Sequence, residues 1–431
     1  MPLAGNTGKR TLGAALLVLG ACAAPQAPCP VCQPCAVCAP APASAPVQTA
    51  PAPSITPVDE PLVPEGVLPS PEAPRGRLQR LSWEQVPLWP ADGAAPALTT
   101  FQQSCSVLGV RAEWALACTQ AGATPAAEES ARRFFRENFE PFAVLNADGS
   151  DNGLLTGYYE PVLRGSRKPG KTYRFPIYGV PQDLLTVDLA ETYPDLKFRR
   201  LRGRLVGNKL VPYYERGDID GKDAPLKGLE IAWVDDAVEL YYLHIQGSGQ
   251  ILLPDGTRMR VGYADQNGHP FRSTAGLLIR RGEIRAENAT LNGIREWVRR
   301  NPSKARRYLN ANPSYVFFKE LPADLPGPIG TLGVPLVGER SIAVDPRVIP
   351  LGVPLLLSTT RPGNGAALNR LMVAQDTGGA IAGGVRGDFY WGSGDEAGFE
   401  AGRTKQKARM WVLLPKGYEP EAFKPAAKQA P

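Results

Sequence analysis

The pattern of apolar and polar positions changes from helical to strand-like near residue 154. Before it, Ala131, Phe134 and Phe135 recur at helical spacing and predict a helix over residues 126–138, after a cap at Thr124-Pro125. From Leu154 onward, short apolar runs are separated by Gly, Pro, Asn and Asp, which is typical of strands joined by turns. The pattern therefore predicts a partly helical segment followed by a body rich in strands.

The strands of this body are expected where the apolar runs fall. The runs lie at residues 155–163, 229–234, 250–253, 314–318, 341–344, 353–357, 371–374 and 409–414. Side chains also alternate over residues 240–246, which predicts a further strand with His244 on its polar side and a turn at residues 247–249. A histidine in that place is more often a satisfied strand residue than a catalyst.

Helical spacing returns in one later region. It covers residues 291–298, and Asn301-Pro302 then caps a second helix that runs to Leu309. Many short strands with few helices favour β-barrels over a doubly wound parallel sheet. The expected fold class is mainly β.

The first residues have the pattern of an export signal. Lys9 and Arg10 precede a short apolar run at residues 12–19, which is too short to span a bilayer. The sequence Leu-Gly-Ala before Cys22 resembles a bacterial lipobox, in which Cys22 becomes the lipidated first residue. Ala23 after Cys22 favours the outer membrane by the same resemblance. The alternative is an ordinary signal peptide in which Cys22 has no role.

The next segment, to about residue 78, is mostly Pro, Ala, Val and Ser and predicts an extended tether. Four of its cysteines, at residues 29–38, are evenly spaced and could ligate a metal. No second ligand cluster accompanies them, and an exported chain favours disulfides, so we predict no metal site. The remaining cysteines, Cys105 and Cys118, are expected to form one disulfide.

Composition narrows the chemistry. The chain has 431 residues, enough for two domains, and only two histidines, which leaves few candidates for a zinc site or a Ser-His-Asp triad. The net charge of +6 suits an anionic polymer such as a carboxylate-rich cell wall, or simply a solvated surface. No run of Lys and Arg is interleaved with aromatic residues, so nucleic acid is not an expected partner.

Candidate chemistry is concentrated in the glycine-rich segment at residues 373–394. Asp376 and Asp388 lie among small residues, and the aromatic residues 389–391 follow directly. Carboxylates can move protons at a glycosidic bond, and flat rings can pack on sugars. The alternative is a hairpin whose aspartates only satisfy turn amides. The segment by itself leaves both interpretations open.

Several segments in chain order resemble one family, the membrane-bound lytic murein transglycosylases A with their C-terminal 3D domain, named for three aspartates. They are Thr-Gly-Tyr-Tyr-Glu-Pro at 156–161, the segments at 242–249, 262–272 and 312–318, and the aspartates Asp345, Asp376 and Asp388 in their motifs. The resemblance covers about residues 80–415. One departure is Gln266, where some relatives carry Lys, since a neutral side chain cannot make the same charge contact.

The resemblance implies a double-psi β-barrel domain with a second, smaller β-barrel inserted into it. The resulting division is a lipoprotein signal peptide at 1–21, a Pro/Ala-rich tether at 22–78, the double-psi β-barrel catalytic domain at 79–160 and 272–416 with the 3D motif in 340–414, the inserted domain at 161–271, and a disordered tail at 417–431.

The implied reaction is cleavage of the β-1,4 bond between N-acetylmuramic acid and N-acetylglucosamine in peptidoglycan without water or cofactor, which is a carbon–oxygen lyase reaction. The muramyl C6 hydroxyl attacks and leaves a 1,6-anhydro end, so the high effective molarity of this group replaces a second carboxylate. One acid then suffices, first as donor and then as base. By the family match this acid is Asp388, with Asp376 in support. The alternatives are a hydrolytic muramidase that uses both aspartates and water, and a non-catalytic peptidoglycan-binding lipoprotein.

Other polar residues of the family motifs are expected to contact the glycan in a groove between the domains. These candidates are Thr156, Tyr158, Gln246, Ser248, Asn267, Arg272 and Asp345. Asp345 precedes Pro346 in what looks like a turn, which favours a structural role. The expected partners are glycan strands, the membrane through lipid on Cys22 at the periplasmic side of the outer membrane, and complexes of wall synthesis or hydrolysis; the protein itself is expected to be a monomer.

Overall fold

The computed structural model describes residues 75–86, 93–193, 196 and 201–419. The predicted lipidation site Cys22, the signal peptide and the four cysteines at 29–38 lie outside the described residues.

Nine α-helices form in the described part of the chain. They are α1 (Ala95–Leu108), α2 (Ala112–Ala123), α3 (Glu128–Asn138), α4 (Arg216–Ile219), α5 (Ala237–Gln246), α6 (Thr274–Arg280), α7 (Leu291–Arg300), α8 (Pro302–Leu309) and α9 (Gly394–Arg403). Two 3₁₀ turns add Trp83–Gln85 and Ala286–Asn288. Within the described ranges, every helix is too short or too polar to cross a membrane.

Seventeen strands alternate with these helices over the described residues. They are β1 (Gly76–Arg80), β2 (Phe139–Asn146), β3 (Gly153–Glu160), β4 (Val162–Ser166), β5 (Phe175–Tyr178), β6 (Leu185–Thr186), β7 (Arg202–Val206), β8 (Lys209–Pro212), β9 (Glu230–Val234), β10 (Ser248–Leu252), β11 (Arg258–Gln266), β12 (Val316–Leu321), β13 (Ser341–Val344), β14 (Pro354–Thr360), β15 (Ala367–Asp376), β16 (Arg386–Ser393) and β17 (Lys405–Pro415). The fold is mainly β with several helices.

The larger sheet has eight strands in the order β1-β2-β17-β14-β15-β13-β16-β3. Strand β17 also pairs with β3, so hydrogen-bonded pairing returns from β3 to β17 and closes a circuit of strands. The pairs β13–β15 and β16–β3 are parallel, whereas the other pairs of this sheet are antiparallel. The parallel β16–β3 pair brings residues 153–160 next to residues 386–393, which are far apart in sequence.

Helices α1 and α3 pack on this sheet through an aromatic cluster. Phe101, Phe134, Phe135 and Phe139 have ring centroids 5.1–6.5 Å apart and are almost fully buried. Burial of each such ring contributes roughly 2–3 kcal/mol. The structure also joins Cys105 of α1 to Cys118 of α2 in a disulfide, with their Cα atoms 5.3 Å apart.

A second sheet has six strands in the order β12-β11-β10-β4-β9-β5, and a third, small sheet contains β6, β7 and β8. The second sheet has its own apolar core, which includes Leu163, Val234, Ile251 and Phe318. Helix α5 contributes Leu240 and Leu243 to the same core.

Glu160 links the two large sheets. It ends β3, and its fully buried carboxylate pairs with Arg260 of β11. Its Oε2 also accepts hydrogen bonds from Gln250 Nε2 at 2.8 Å and from Ser393 Oγ at 2.6 Å. Because both carboxylate oxygens are occupied, the buried charge is compensated and fixes the end of β3.

The predicted strands and helices are largely confirmed, with two errors. Each apolar run predicted as a strand overlaps an observed strand, and helices form at 128–138, 291–300 and 302–309. Residues 240–246, however, belong to helix α5. The prediction of few helices was also wrong, because α5, α6 and α9 interrupt the strand-rich part.

The strand prediction failed at α5 because both faces of the segment are apolar. Asp236 caps the helix by accepting hydrogen bonds from Val238 N and Glu239 N, at 2.7 and 3.0 Å, and Gly247 ends it in the left-handed conformation with φ of 78°. His244 therefore lies on a buried helical face, and not on the polar side of a strand.

Candidate active site

The site is built on one face of the parallel pair β3 and β16. Their register places Thr156 beside Asp388 and Tyr158 beside Tyr390. Because side chains alternate along a strand, Asp388 shares its face with Arg386 and Tyr390. The intervening Phe389 is completely buried in the core below. Phe389 therefore anchors the strand in the core, whereas Tyr390 lies on the face that carries Asp388.

Glycine keeps this strand pair close to the layer beneath it. A Cβ on Gly387 would lie 2.6 Å from the end of the Met410 side chain and 2.8 Å from Ile342. A Cβ on Gly157 would approach Trp391 Nε1 to 2.7 Å. Gly157, which follows Thr156, and Gly387, which precedes Asp388, must therefore lack a side chain for the two strands to pack as they do.

Asp388 accepts one strong hydrogen bond from this arrangement. Thr156 Oγ1 donates to Asp388 Oδ1 at 2.6 Å, and Arg386 Nη2 donates to Thr156 Oγ1 at 3.0 Å. Burial raises the pKa of Asp388 to about 6, against the Thr156 hydrogen bond and the Arg386 charge, and the charge of Asp376 adds to the rise. Among the described residues, Asp388 Oδ2 accepts no hydrogen bond. Asp388 is therefore a carboxyl group that is partly protonated near neutral pH and has one free oxygen.

Asp376, at the end of β15, is held on both oxygens. Its Oδ1 accepts hydrogen bonds from Thr331 N and Thr331 Oγ1, both at 2.9 Å, and its Oδ2 accepts one from Tyr158 OH at 3.0 Å. Burial raises its pKa, although these hydrogen bonds favour the charged form. Asp376 is suited to supply a fixed negative charge, since its oxygens are already directed at protein donors.

Tyr158 lies between Tyr390 and Asp376. Its ring centroid lies 5.1 Å from that of Tyr390, and its hydroxyl points to Asp376. Burial, followed by the charges of Asp376 and Asp388, raises the pKa of Tyr158 well above its usual value. The hydroxyl consequently remains a hydrogen-bond donor.

The third aspartate of the motif set is bound within the protein. Asp345 is 1% exposed, and its carboxylate accepts hydrogen bonds from Arg347 Nε at 2.8 Å, Arg347 Nη2 at 2.9 Å and Gly383 N at 2.9 Å. Burial opposes ionisation, but these donors lower the pKa of Asp345. The contacts hold the loop before β16 and support a structural role rather than a glycan contact.

The other predicted contact residues lie in α5, in β10 and in the segment between β11 and α6. Gln246 Oε1 accepts a hydrogen bond from Tyr159 N at 3.0 Å and so ties α5 to β3. Asn267 is 1% exposed; its amide donates to Tyr214 O and Pro313 O and accepts from Tyr315 N, at 2.8–2.9 Å. With these atoms occupied, Asn267 shapes a loop and has little left to offer a sugar.

Two predicted contact residues keep solvent-accessible side chains. Ser248 is half-buried at the start of β10, and Arg272 is exposed just before α6. Within the described structure, neither forms a hydrogen bond with the two aspartates of the site. Their contact with a glycan remains a prediction.

The described residues contain no group of three or more His, Cys, Asp or Glu side chains placed to hold a metal ion.

Comparison with known proteins places this geometry in a family. Residues 154–319 match the model of the MltA specific insert domain, and residues 340–414 match that of the 3D domain. The membrane-bound lytic murein transglycosylase A of Escherichia coli K12 is 34% identical over 281 residues, which are 64% of this chain and 69% of the relative. The chain belongs to the MltA family. The resemblance drawn from the motifs is confirmed, and the chain is a lytic murein transglycosylase.

Solved MltA structures have the same fold. The crystal structure of MltA from Neisseria gonorrhoeae is 39% identical and has a TM-score of 0.71 over 80% of this chain and 94% of the other. The E. coli MltA structure with bound chitohexaose is 27% identical and has a TM-score of 0.61 over 79% and 94% of the two chains.

Two residues of this MltA site were not predicted from the sequence. Arg386 lies two positions before Asp388, and strand alternation could have placed the two on one face. Thr331 lies 45 residues before Asp376, in a loop, and no local pattern connects the two. The contacts of Asp376 could be found only in the folded chain.

Proposed function

We propose that Asp388 is the single general acid and base of a non-hydrolytic cleavage of peptidoglycan. The bond cleaved is the β-1,4 bond between N-acetylmuramic acid and N-acetylglucosamine. The observation that carries this assignment is the contrast between the two aspartates: Asp388 has a free oxygen and a pKa of about 6, whereas Asp376 has both oxygens bound. Chitohexaose bound to the E. coli relative supports a β-1,4-linked amino-sugar polymer as the ligand.

The first step needs Asp388 in its protonated form. Oδ2 donates its proton to the glycosidic oxygen that leaves with N-acetylglucosamine, as the bond from that oxygen to the muramyl anomeric carbon breaks. A pKa of about 6 keeps a useful fraction of the carboxyl protonated in mildly acidic to neutral solution.

The second step uses the carboxylate that the first step leaves. It takes the proton of the muramyl C6 hydroxyl while that oxygen bonds to the anomeric carbon, which closes the 1,6-anhydro ring and restores the acid. Atoms and protons balance without water. The nucleophile belongs to the same sugar, so it is already close to the reacting carbon.

Asp376 supports this cycle through its charge. A fixed carboxylate near the anomeric carbon stabilises the positive charge that develops on the sugar ring, and it also raises the pKa of Asp388. The three donors on Asp376 argue against its use as the base of a hydrolase pair, which would have to bind a water molecule.

The test is digestion of purified peptidoglycan followed by mass spectrometry of the products. The wild type should release 1,6-anhydromuramyl ends, and Asp388→Asn should release almost none. Asp395→Asn, an exposed carboxylate on α9, is the matched control and should behave as the wild type. Reducing ends throughout would identify a hydrolase, and full activity of Asp388→Asn would overturn the assignment. Failure of the wild type to digest the wall would favour a binding protein.

The finer fold assignment is also a proposal. The strands β17, β14, β15, β13, β16 and β3 form the closed circuit, which supports the double-psi β-barrel expected from the family. The second sheet supports a separate lobe for the inserted domain. An experimental structure in which β17 and β3 do not pair would contradict the closed circuit.

The proposed location is the periplasmic side of the outer membrane, through lipid on Cys22. The support is the lipobox-like Leu-Gly-Ala before Cys22. Metabolic labelling with an alkyne fatty acid should mark the wild type but not Cys22→Ala, and the variant should leave the membrane fraction. Equal labelling of both would refute the anchor.

A further inference from the structure

We propose that Arg386 is a positioning residue that fixes the direction of the Thr156 hydroxyl and thereby selects which oxygen of Asp388 carries the catalytic proton. This inference rests on the proposed role of Asp388 as the acid and base. It assigns a function to a side chain that lies on the same strand face but does not itself reach the acid through a hydrogen bond.

The Thr156 hydroxyl has a single proton, and this limits the hydrogen bonds that it can form. The group has one proton to donate and lone pairs to accept with, whereas a guanidinium group only donates. Arg386 Nη2 lies 3.0 Å from Thr156 Oγ1, so the hydroxyl oxygen must accept there. Its single proton is then directed to Asp388 Oδ1, 2.6 Å away. Arg386 thus makes Thr156 a donor toward the acid.

This direction matters when Asp388 is protonated. Without the guanidinium group, the hydroxyl could rotate and accept a proton from Oδ1, which would place the acidic proton on the oxygen that faces the protein. With Oδ1 already accepting from Thr156, the proton is held on Oδ2. Oδ2 is the oxygen without a partner among the described residues, and thus the one available to a glycosidic bond.

The surroundings of Arg386 hold it in place for this role. Its Nη1 donates to Gly387 O and, at 3.5 Å, to Leu154 O. In the described part of the chain it forms no salt bridge, and it is half-buried. A solvated surface arginine would not hold two backbone carbonyls and a hydroxyl of the neighbouring strand together.

The charge of Arg386 also affects the pKa of Asp388, which can be measured separately from kcat. The groups that face Asp388 are Arg386 on its own strand, Thr156 and Tyr158 on β3, and Asp376 on β15. Arg386 favours the carboxylate form, and Asp376 opposes it. Loss of the guanidinium charge should therefore raise the pKa of the acid and move the alkaline limb of the rate profile to higher pH.

The test measures kcat and KM for soluble peptidoglycan strands between pH 4 and 9. Arg386→Met should lower kcat on the order of tenfold, the effect of one lost hydrogen bond, and should shift the alkaline limb upward. Arg386→Lys keeps a cationic donor, so it should retain the wild-type limb and most of kcat. In a Thr156→Val background, Arg386→Met should lower kcat little further, because the two residues act as one unit.

The matched control is Arg409→Gln on β17 of the same sheet. Its guanidinium group is half exposed and pairs with Asp151, so the profile should not change. Unchanged kcat and pH limb in Arg386→Met would overturn the inference. A rise in KM alone would also overturn it and point to an anionic group of the substrate as the partner of Arg386. Should Arg386→Met fail to fold, a full loss of kcat in folded Arg386→Lys would count against the inference as well.

Failure of this inference can be told apart from failure of the proposed function. If Asp388→Asn keeps full activity, the proposed function fails. If Asp388→Asn is inactive while Arg386→Met resembles the wild type, only the role of Arg386 is wrong.

Discussion

Thr156 and Asp388 are register partners in the parallel pairing of β3 and β16, and their side chains are joined by a 2.6 Å hydrogen bond across 232 residues of sequence. Asp388 is therefore positioned by sheet pairing and not by a loop. Because paired strands are among the stiffest parts of a fold, the Asp388 carboxyl is held before substrate arrives.

The rate of anhydro-product formation should fall as pH rises above about 6. Asp388 has a pKa of about 6, and the first step requires its protonated form, so activity is lost as the carboxyl ionises. Steady-state assays of kcat between pH 4 and 9 would measure the limb. A rate that keeps rising to pH 8 would contradict Asp388 as the acid.

Thr156→Val should shift the alkaline limb of the pH–rate profile to higher pH and lower kcat roughly tenfold. The variant removes the hydrogen bond that favours the ionised form of Asp388, so the pKa of the acid rises further. Thr156→Ser keeps the hydroxyl and serves as the control, with a limb close to that of the wild type. The two variants behaving alike would mean that the hydroxyl has no such role.

Asp376→Asn should move the alkaline limb in the opposite direction, to lower pH. Removal of a nearby negative charge lowers the pKa of Asp388, and kcat should fall by roughly ten- to a hundredfold because the developing charge on the sugar loses its stabilisation. Tyr158→Phe leaves the carboxylate in place and should change kcat less. An upward shift of the limb in Asp376→Asn would refute this account of its charge.

Glu160→Gln should reduce the free energy of unfolding by about 3–5 kcal/mol, because it leaves Arg260 as a buried charge without its partner. Urea denaturation followed by tryptophan fluorescence would measure the loss. Glu320→Gln is the matched control, since its pair with Arg167 is about half exposed and should contribute less than about 1 kcal/mol. Equal losses in both variants would show that burial of the first pair is unimportant.

His244 should make the protein less stable in acid. Burial, followed by the charge of Arg216, holds its pKa well below the usual value, and neither ring nitrogen has a partner among the described residues. The folded state keeps His244 neutral while the unfolded chain binds a proton below about pH 6.5, so stability is full above that pH and falls as pH decreases, by up to about 1.4 kcal/mol per unit.

The measurement compares urea denaturation of the wild type and His244→Phe at pH 7 and pH 5. A phenyl ring can retain the packing against Tyr315 and Phe318, so the variant should lose less stability on acidification. The difference between the two proteins isolates the effect of His244 from that of Asp388. Asp388 titrates in the same pH range, but its raised pKa makes the folded state more stable as pH falls. The same loss in both would exclude His244 as the cause.

Much of the fold was accessible from local patterns. Apolar runs bounded by Gly and Pro predicted the strands. The spacing of Leu291, Ile294 and Trp297 predicted α7, because a helix with one buried face has apolar residues at every third or fourth position. The prediction failed at residues 240–246, because a helix that is buried on most sides does not show the helical spacing of apolar residues.

For the site, too, the sequence supplied one part of the information and the tertiary structure the other. The sequence by itself determined which side chains are available: two aspartates among glycines, the Thr-Gly-Tyr-Tyr segment and the aromatic residues after Asp388, enough to identify the family. Only the tertiary structure decided what each one contacts. Thr156, Thr331 and Tyr158 reach the aspartates across strand and loop contacts that no local period encodes. Those contacts leave one oxygen of Asp388 free and occupy both oxygens of Asp376, and the proposed mechanism rests on that difference.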